Sequence, residues 1–182
     1  LGVLAVLFAA SGGILFGALT AIYRNRLPDY IIMFLVILGI SVPSFVIAAL
    51  SQLSLVTLNS LAGRTLLPVA GWGTILHMLV PSMVLGMGTM AYLTRLMRSS
   101  MLEIVNSDFV RTAKSKGLPA SRIFAKHQFR NAILPVVTVL GPAIAAITTG
   151  GFVVELVFAI PGLGRFFVEA VQQLDYTVIM GT

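Results

Sequence analysis

The sequence predicts an all-α protein built as a bundle of membrane-crossing helices, and three observations lead there. Hydrophobic residues fill 58% of the 182 positions. Charged residues fill only 10%, where an ordinary soluble domain carries about 25%. The apolar residues also gather into four runs that meet the roughly 20-residue length a helix needs to cross the hydrocarbon core.

The first run, 1–23, starts at Leu1 inside an apolar stretch that lacks the basic flank and short core of a signal peptide. The chain is therefore expected to be a piece of a longer protein. The second run, 30–58, is long and carries Pro43 within "GISVPSF". Proline removes a backbone donor, so a kinked span is expected there. Runs 75–97 and 133–158 complete the four, and a fifth begins near Tyr176. Each apolar residue contributes about −0.3 to −0.6 kcal/mol to insertion, whereas a central charge costs about +2.5 to +3.5 kcal/mol. Runs free of internal charge should therefore insert. With no cysteine, neither a disulfide framework nor a thiolate metal site is available.

The net charge of +6 is placed unevenly. Arg24 and Arg26 follow the first run, Arg64 alone separates the second and third, and eight basic residues from Arg95 to Arg130 follow the third. By the positive-inside rule the first and third connections are cytoplasmic. The segment after the fourth run is then external. This distribution argues for a membrane protein with no nucleic-acid partner.

The third connection, 98–132, has the most local structure. Ser100 with Glu103 fits a capping box, and Ser107 with Asp108 offers a second helix start. A helix through "DFVRTAKSK" would end at Gly117, where glycine takes a left-handed backbone cheaply. Pro119 then suits the first turn of another short helix through "ASRIFAKHQFRN". On that helix Ile123, Phe124 and His127 share a face, with Arg122, Lys126 and Arg130 around it. Two readings compete: a basic loop resting on anionic lipid, and a docking element for a soluble protein. The defined caps and glycine turn favour docking.

Other features have a plain reading beside a sharper one. Met83, Met87, Met90 and Met97 at helical spacing suit gap-filling between helices better than a soft-metal path, so no metal site is expected. His77 reads as an interfacial hydrogen-bonding residue. His127 reads as a packing or partner-contact residue, not a catalyst. The pair Gly150–Gly151 could mark a close helix crossing or a hinge. The runs carry no ionisable residue away from their ends, unlike carriers that bind coupling ions within the membrane. Ser41, Ser44, Gln52, Thr148 and Thr149 are the candidate lining of an uncharged pathway. No GxxxxGK[ST] motif is present to cradle a nucleotide, so the energy must come from another polypeptide. An ATP-independent channel, a secondary carrier or a membrane scaffold are the readings from other classes.

The residues "FVRTAKSKGLP" and "KHQFRNAILPVVTVLGP", with "YRNRLPDY", "VPSF" and "GGFVVELVFAIPGLGRFFVEAVQQLDY", resemble the transmembrane subunits of bacterial ABC importers for peptides. The likeness is to the B-type permeases of the oligopeptide, dipeptide, nickel and glutathione systems, and it covers essentially the whole chain. Within the last stretch, Glu155, Pro161, Gly162, Gly164, Asp175 and Tyr176 fall at matching places. The general importer pattern opens its cytoplasmic loop with EAA and closes it with isoleucine and leucine–proline. This chain has Arg111, Thr112 and Ala113, then His127, Phe129 and Arg130, as the peptide subgroup does. The acidic residue other importers place at the ATPase contact is thereby absent.

The resemblance implies a permease domain over 1–182 of the type I importer kind, a fragment with four full spans and the start of a fifth. Family members usually have six spans, so the first, most of the fifth and the sixth would lie outside it. It also implies a multi-pass location in the bacterial cytoplasmic (inner) membrane. Within the domain, 98–132 would be the cytoplasmic coupling loop. Asp108, Phe109, Val110, Arg111, Thr112, Ala113, Lys114, Gly117, Leu118 and His127 would contact an ATPase subunit. The implied partners are a second homologous permease, two cytoplasmic ATPases, a solute-binding protein outside and the lipid bilayer. No cofactor is expected on this chain, ATP and Mg being held by the ATPases. The chain would form half of the translocation pathway without being an enzyme, for peptides or, in the same family, for nickel or glutathione.

Overall fold

A computed structural model describes residues 1–149 and 151–181, and the side chains of Thr149 and Arg165 lie outside the description. The described residues are helical and contain no strand. In chain order they form α1 (Gly2–Ile22), α2 (Leu27–Ser41), α3 (Ser44–Ala62), α4 (Ile75–Val105) and α5 (Asp108–Ser115). Next comes a continuous run: α6 (Ala120–Arg122), a π-helical stretch (Ile123–Phe129) and α7 (Arg130–Thr149). The chain continues through α8 (Phe152–Val157), α9 (Leu163–Gln173) and α10 (Tyr176–Gly181). Four helical runs are long and apolar enough to cross a membrane: Gly2–Ile22, Ser44–Ala62, Ile75–Val105 and Ala120–Thr148. Many of their exposed side chains are large and apolar, as at Leu7, Leu15, Leu53, Val56, Leu134 and Val137, which suits a surface facing hydrocarbon.

Four boundaries differ from the expectations. The stretch 30–58 is two helices rather than one kinked span. Pro43 takes an extended backbone (φ −58°, ψ 140°) and serves as the N-cap of α3, because its ring cannot follow another helical turn. The third run continues past 97 to Val105 without interruption. Ser100 is therefore buried inside a helix and no capping box forms with Glu103. Residues 133–158 divide between α7 and α8. Finally, "ASRIFAKHQFRN" is not a separate short helix, since it runs straight into α7, with Pro119 at the N-cap instead of the first turn.

The chain forms two compact units. One comprises Phe8–Ser41 and Met87–Ala143. Its core is Ala18, Leu93, Met97, Met101, Ala132 and Val136, all buried. Helices α1 and α4 approach closely there because Gly13 and Gly17 present no side chain. A Cβ on Gly13 would stand 2.6 Å from the Leu93 Cβ, and one on Gly17 would stand 2.5 Å from the Met97 Cβ. Small residues four apart let helix backbones meet in lipid. The methionines fill the remaining gaps: Met97 and Met101 are buried, and the Met90 sulfur lies against Gly12.

The other unit comprises Leu1–Leu7, Val42–Gly86 and Ile144–Thr182. Ala48, Val84, Val154, Phe158 and Ile160 form its core. The connection between α3 and α4 is fastened to the segment after α8, with the Gly71 N–H donating to the Phe158 carbonyl at 2.8 Å. Asn59 braces the same connection by accepting from the Leu66 N–H and donating to the Leu67 carbonyl, both at 2.8 Å.

Candidate functional site

The residues of the 98–132 connection build a small structure of their own. Two residues after α4 ends, Ser107 takes an extended backbone and opens α5. Its hydroxyl donates back to the Ile104 carbonyl at 2.7 Å, so it does not cap the new helix through its side chain. Asp108 stands in the first turn, where the helix dipole favours an anion. It reaches Arg111 at 3.7 Å across one turn, but both side chains are exposed and such a pair adds little.

The end of α5 is a Schellman motif. Gly117 has φ +72°. Its N–H donates to the Lys114 carbonyl at 2.9 Å and the Leu118 N–H to the Ala113 carbonyl at 3.3 Å, the two bonds that close a helix through a left-handed residue. The apolar contact that accompanies this motif is present. Val110, Ala113 and Ile123 are buried together, with Ile104 and Leu118 packed against them. The returning chain is thus held to α5 by a core of five apolar residues.

This core divides the ten expected contact residues. Val110 and Ala113 are buried against Ile123, so their side chains hold α5 in place and are not available to another protein. Leu118 is half-buried in the same core. Asp108, Phe109, Arg111, Thr112 and Lys114 face outward and Gly117 is exposed at the turn. The reason is helical periodicity: 110 and 113 lie on one face and 108, 111, 112 and 114 lie around the other. His127 is half-buried on the π-helical stretch. With Lys126, Arg130, Asn131 and Leu134 it lines an open groove of about 490 Å³.

One feature of the site was missed. Asp29, in the first turn of α2, is 2% exposed and paired with Arg98 near the end of α4. The contact is bidentate, Arg98 Nε to Asp29 Oδ1 at 2.9 Å and Nη2 to Oδ2 at 2.8 Å. The Asn25 N–H donates to the same Oδ2 at 3.0 Å. This pair brings the first and third connections together. Its sequence signal was an acidic residue set just after the basic turn "YRNRLPD", beside the first basic residues beyond 97.

The candidate pathway residues fare unevenly. Gln52 is committed to structure, its amide donating to the Val157 carbonyl at 2.8 Å and the Val69 carbonyl at 3.4 Å. Its amide nitrogen thus braces α3 against these two segments. Ser41 and Ser44 are exposed on either side of the helix break. Thr148 is exposed, with its hydroxyl turned back to the Ile144 carbonyl at 2.8 Å. The Thr149 side chain and Gly150 lie outside the described residues, so the hinge expected at 150–151 does too. His77 bonds to the Thr74 hydroxyl at 2.8 Å next to its helix start, a local structural role.

Comparison with known proteins agrees with this architecture. The family model described as "Binding-protein-dependent transport system inner membrane component" matches residues 13–182. The chain is 47% identical over its whole length to the dipeptide transport system permease protein of Bacillus subtilis, covering 58% of that protein. It is 43% identical over 99% of its length to the oligopeptide transport system permease protein of Haemophilus influenzae, again covering 58%. The dipeptide transport system permease protein of Escherichia coli K12 is 36% identical, and 61% of it is covered. The chain thus spans about three-fifths of the length of these relatives. A match over nearly all of its residues, on an all-helical membrane architecture, places the chain in the family of binding-protein-dependent transport system inner membrane components.

Proposed function

We propose that the chain is the greater part of a permease subunit of an ATP-driven importer for peptides, forming half of a translocation pathway in the bacterial inner membrane. A second permease would supply the other half. Two cytoplasmic ATPases would bind ATP and Mg²⁺, and a solute-binding protein would deliver cargo from outside. The permease itself hydrolyses nothing. It converts movement of the ATPases into opening and closing of the pathway, and segment 98–132 is the coupling loop.

The observation that carries this reading is the construction of α5. An eight-residue helix is too short to be stable alone, yet Val110 and Ala113 anchor it to Ile123 while its other face is polar and open. Attraction to a lipid surface requires charge but no such anchored shape. The outward residues Asp108, Phe109, Arg111, Thr112 and Lys114 are the ATPase contact in this reading. His127, half-buried on the π-helical stretch, belongs to the same contact in this reading. The exposed hydroxyls of Ser41, Ser44 and Thr148 suit an uncharged passage whose selectivity is set by the binding protein.

The test is the double substitution Arg111→Glu with Lys114→Glu in the full-length permease. The variant should reach the membrane at normal levels and lose its ATPase subunits on purification, with uptake falling at least tenfold. Retention of the ATPases together with normal uptake would remove α5 from the coupling role.

A further inference from the structure

We infer that Asp29 and Arg98 are a positioning pair that locks the first cytoplasmic turn to the root of the coupling loop, so that a push on α5 reaches α1 and α2 as well as α4. The inference rests on the proposed coupling role of 98–132 and names a second route by which it acts.

Four observations carry it. Both Asp29 carboxylate oxygens are engaged, by two guanidinium nitrogens and the Asn25 N–H. Fork-to-fork contact between guanidinium and carboxylate fixes direction as well as distance. Asn25 sits in the left-handed region with φ 59°, so the turn joining α1 to α2 is shaped around the same carboxylate. Finally, α4 runs unbroken from Arg98 to Val105, and α5 begins three residues later. Arg98 therefore stands on the stem that bears the docking helix.

Burial of the pair does not account for its presence through stability. Removing two charges from water offsets most of their attraction, and apolar side chains of similar volume often serve a fold as well. What a bidentate ion pair adds to apolar contact is a fixed direction between the two elements. The same unit already has an apolar core nearby in Met97, Met101 and Ala132, so another greasy contact would have sufficed for cohesion alone.

This separates a positioning role from a merely structural one experimentally. The full-length permease, assembled with its ATPases and binding protein in nanodiscs or proteoliposomes, is compared as wild type, Asp29→Asn, Arg98→Lys and the double variant Asp29→Leu with Arg98→Met. Expression, thermal midpoint, ATPase retention, ATP hydrolysis and uptake are measured for each. The double variant should assemble with a thermal midpoint near wild type while uptake per ATP hydrolysed falls at least threefold. Arg98→Lys keeps the charge but loses the fork, and should fall between the two. Should Asp29→Asn fail to fold, because it leaves Arg98 unpaired, the double variant still decides. Wild-type uptake per ATP in the double variant overturns the inference and leaves the coupling reading standing. Failure of the wild-type permease to retain any ATPase overturns that reading itself.

Discussion

Helices α5 and α8 end with the same pair of hydrogen bonds, yet the two ends are held by different means. At α5 the left-handed residue is Gly117, and the space a Cβ would enter is empty to 4 Å. At α8 it is Ala159, with φ 52°. The Ile160 N–H donates to the Glu155 carbonyl at 2.8 Å and the Ala159 N–H to the Leu156 carbonyl at 3.2 Å. A left-handed alanine costs roughly 1–2 kcal/mol, so something outside the turn must hold it. Phe158 and Ile160 on either side are buried in the core, Gln52 and Gly71 bond to the carbonyls of Val157 and Phe158, and the Glu155 carboxylate accepts the Gly164 N–H at 3.0 Å. The first turn is specified by one residue of its own, whereas the second is imposed by its neighbours. At Gly117 the turn forms without strain, whereas at Ala159 the strain must be offset by contacts outside the turn.

The comparison is broken most severely at Gly164. A Cβ there would lie 2.6 Å from the Phe152 Cα and 2.9 Å from the Glu155 Oε2, backbone and a packed carboxylate that cannot both retreat. Gly164→Ala should destabilise the 152–173 segment by more than about 2 kcal/mol, as overpacking of a rigid site does. Limited proteolysis would show new cleavage there. An unchanged digestion pattern would mean that the Glu155 clamp does not hold the turn.

Gly117→Val comes next in size. The Cβ itself meets no neighbour within 4 Å, so the main cost is that of the backbone, about 1–2 kcal/mol and more for a β-branched residue. Insertion should be normal while stimulation of ATP hydrolysis by loaded binding protein falls severalfold. Gly117→Asn should be milder, since asparagine tolerates this region. Coupled transport at the wild-type level in the valine variant would show that the turn does not set the docking surface.

The smallest change is Ala159→Gly. Relief of strain should outweigh the added freedom of the unfolded chain, for a gain of about 0.5 kcal/mol. The thermal midpoint in detergent should rise slightly. A lowered midpoint would mean that the neighbours already remove the strain.

The same contrast explains what could be read in advance. The membrane-spanning helices and the Gly117 turn are written locally, in apolar runs and in one glycine followed by "LP", and both were legible. Of the expected contact face, residues 108, 109, 111, 112 and 114 did prove exposed, while Val110 and Ala113 went inward because Ile123 comes back to meet them. Nothing in the local sequence says that it does. Asp29 and Arg98 are 69 positions apart, and only the packing of α1 and α2 against α4 makes them partners. Gly13 and Gly17 in "GILFG" were a readable signal for that packing. The division of 30–58 was readable only in part, since Pro43 announces a disturbance without saying whether the helix bends or stops.

The π-helical stretch Ile123–Phe129 has a consequence for chain length. Successive residues of an α-helix are offset by about 100° around the axis, so nine α-helical steps would set Ile123 and Ala132 on opposite sides. Bonding five residues back widens the turn and lowers the step to roughly 80°, which over the seven residues of the stretch swings Ile123 round to within about 40° of Ala132. Ile123 can then join Val110 and Ala113 while Ala132 and Val136 face Met97 and Met101, and Ile104 touches both groups. The stretch therefore acts as a rotational shim between α7 and α5. Removing one residue between Gly117 and Arg130 should therefore turn α5 relative to α7 even where Leu118 and Ile123 keep their identity.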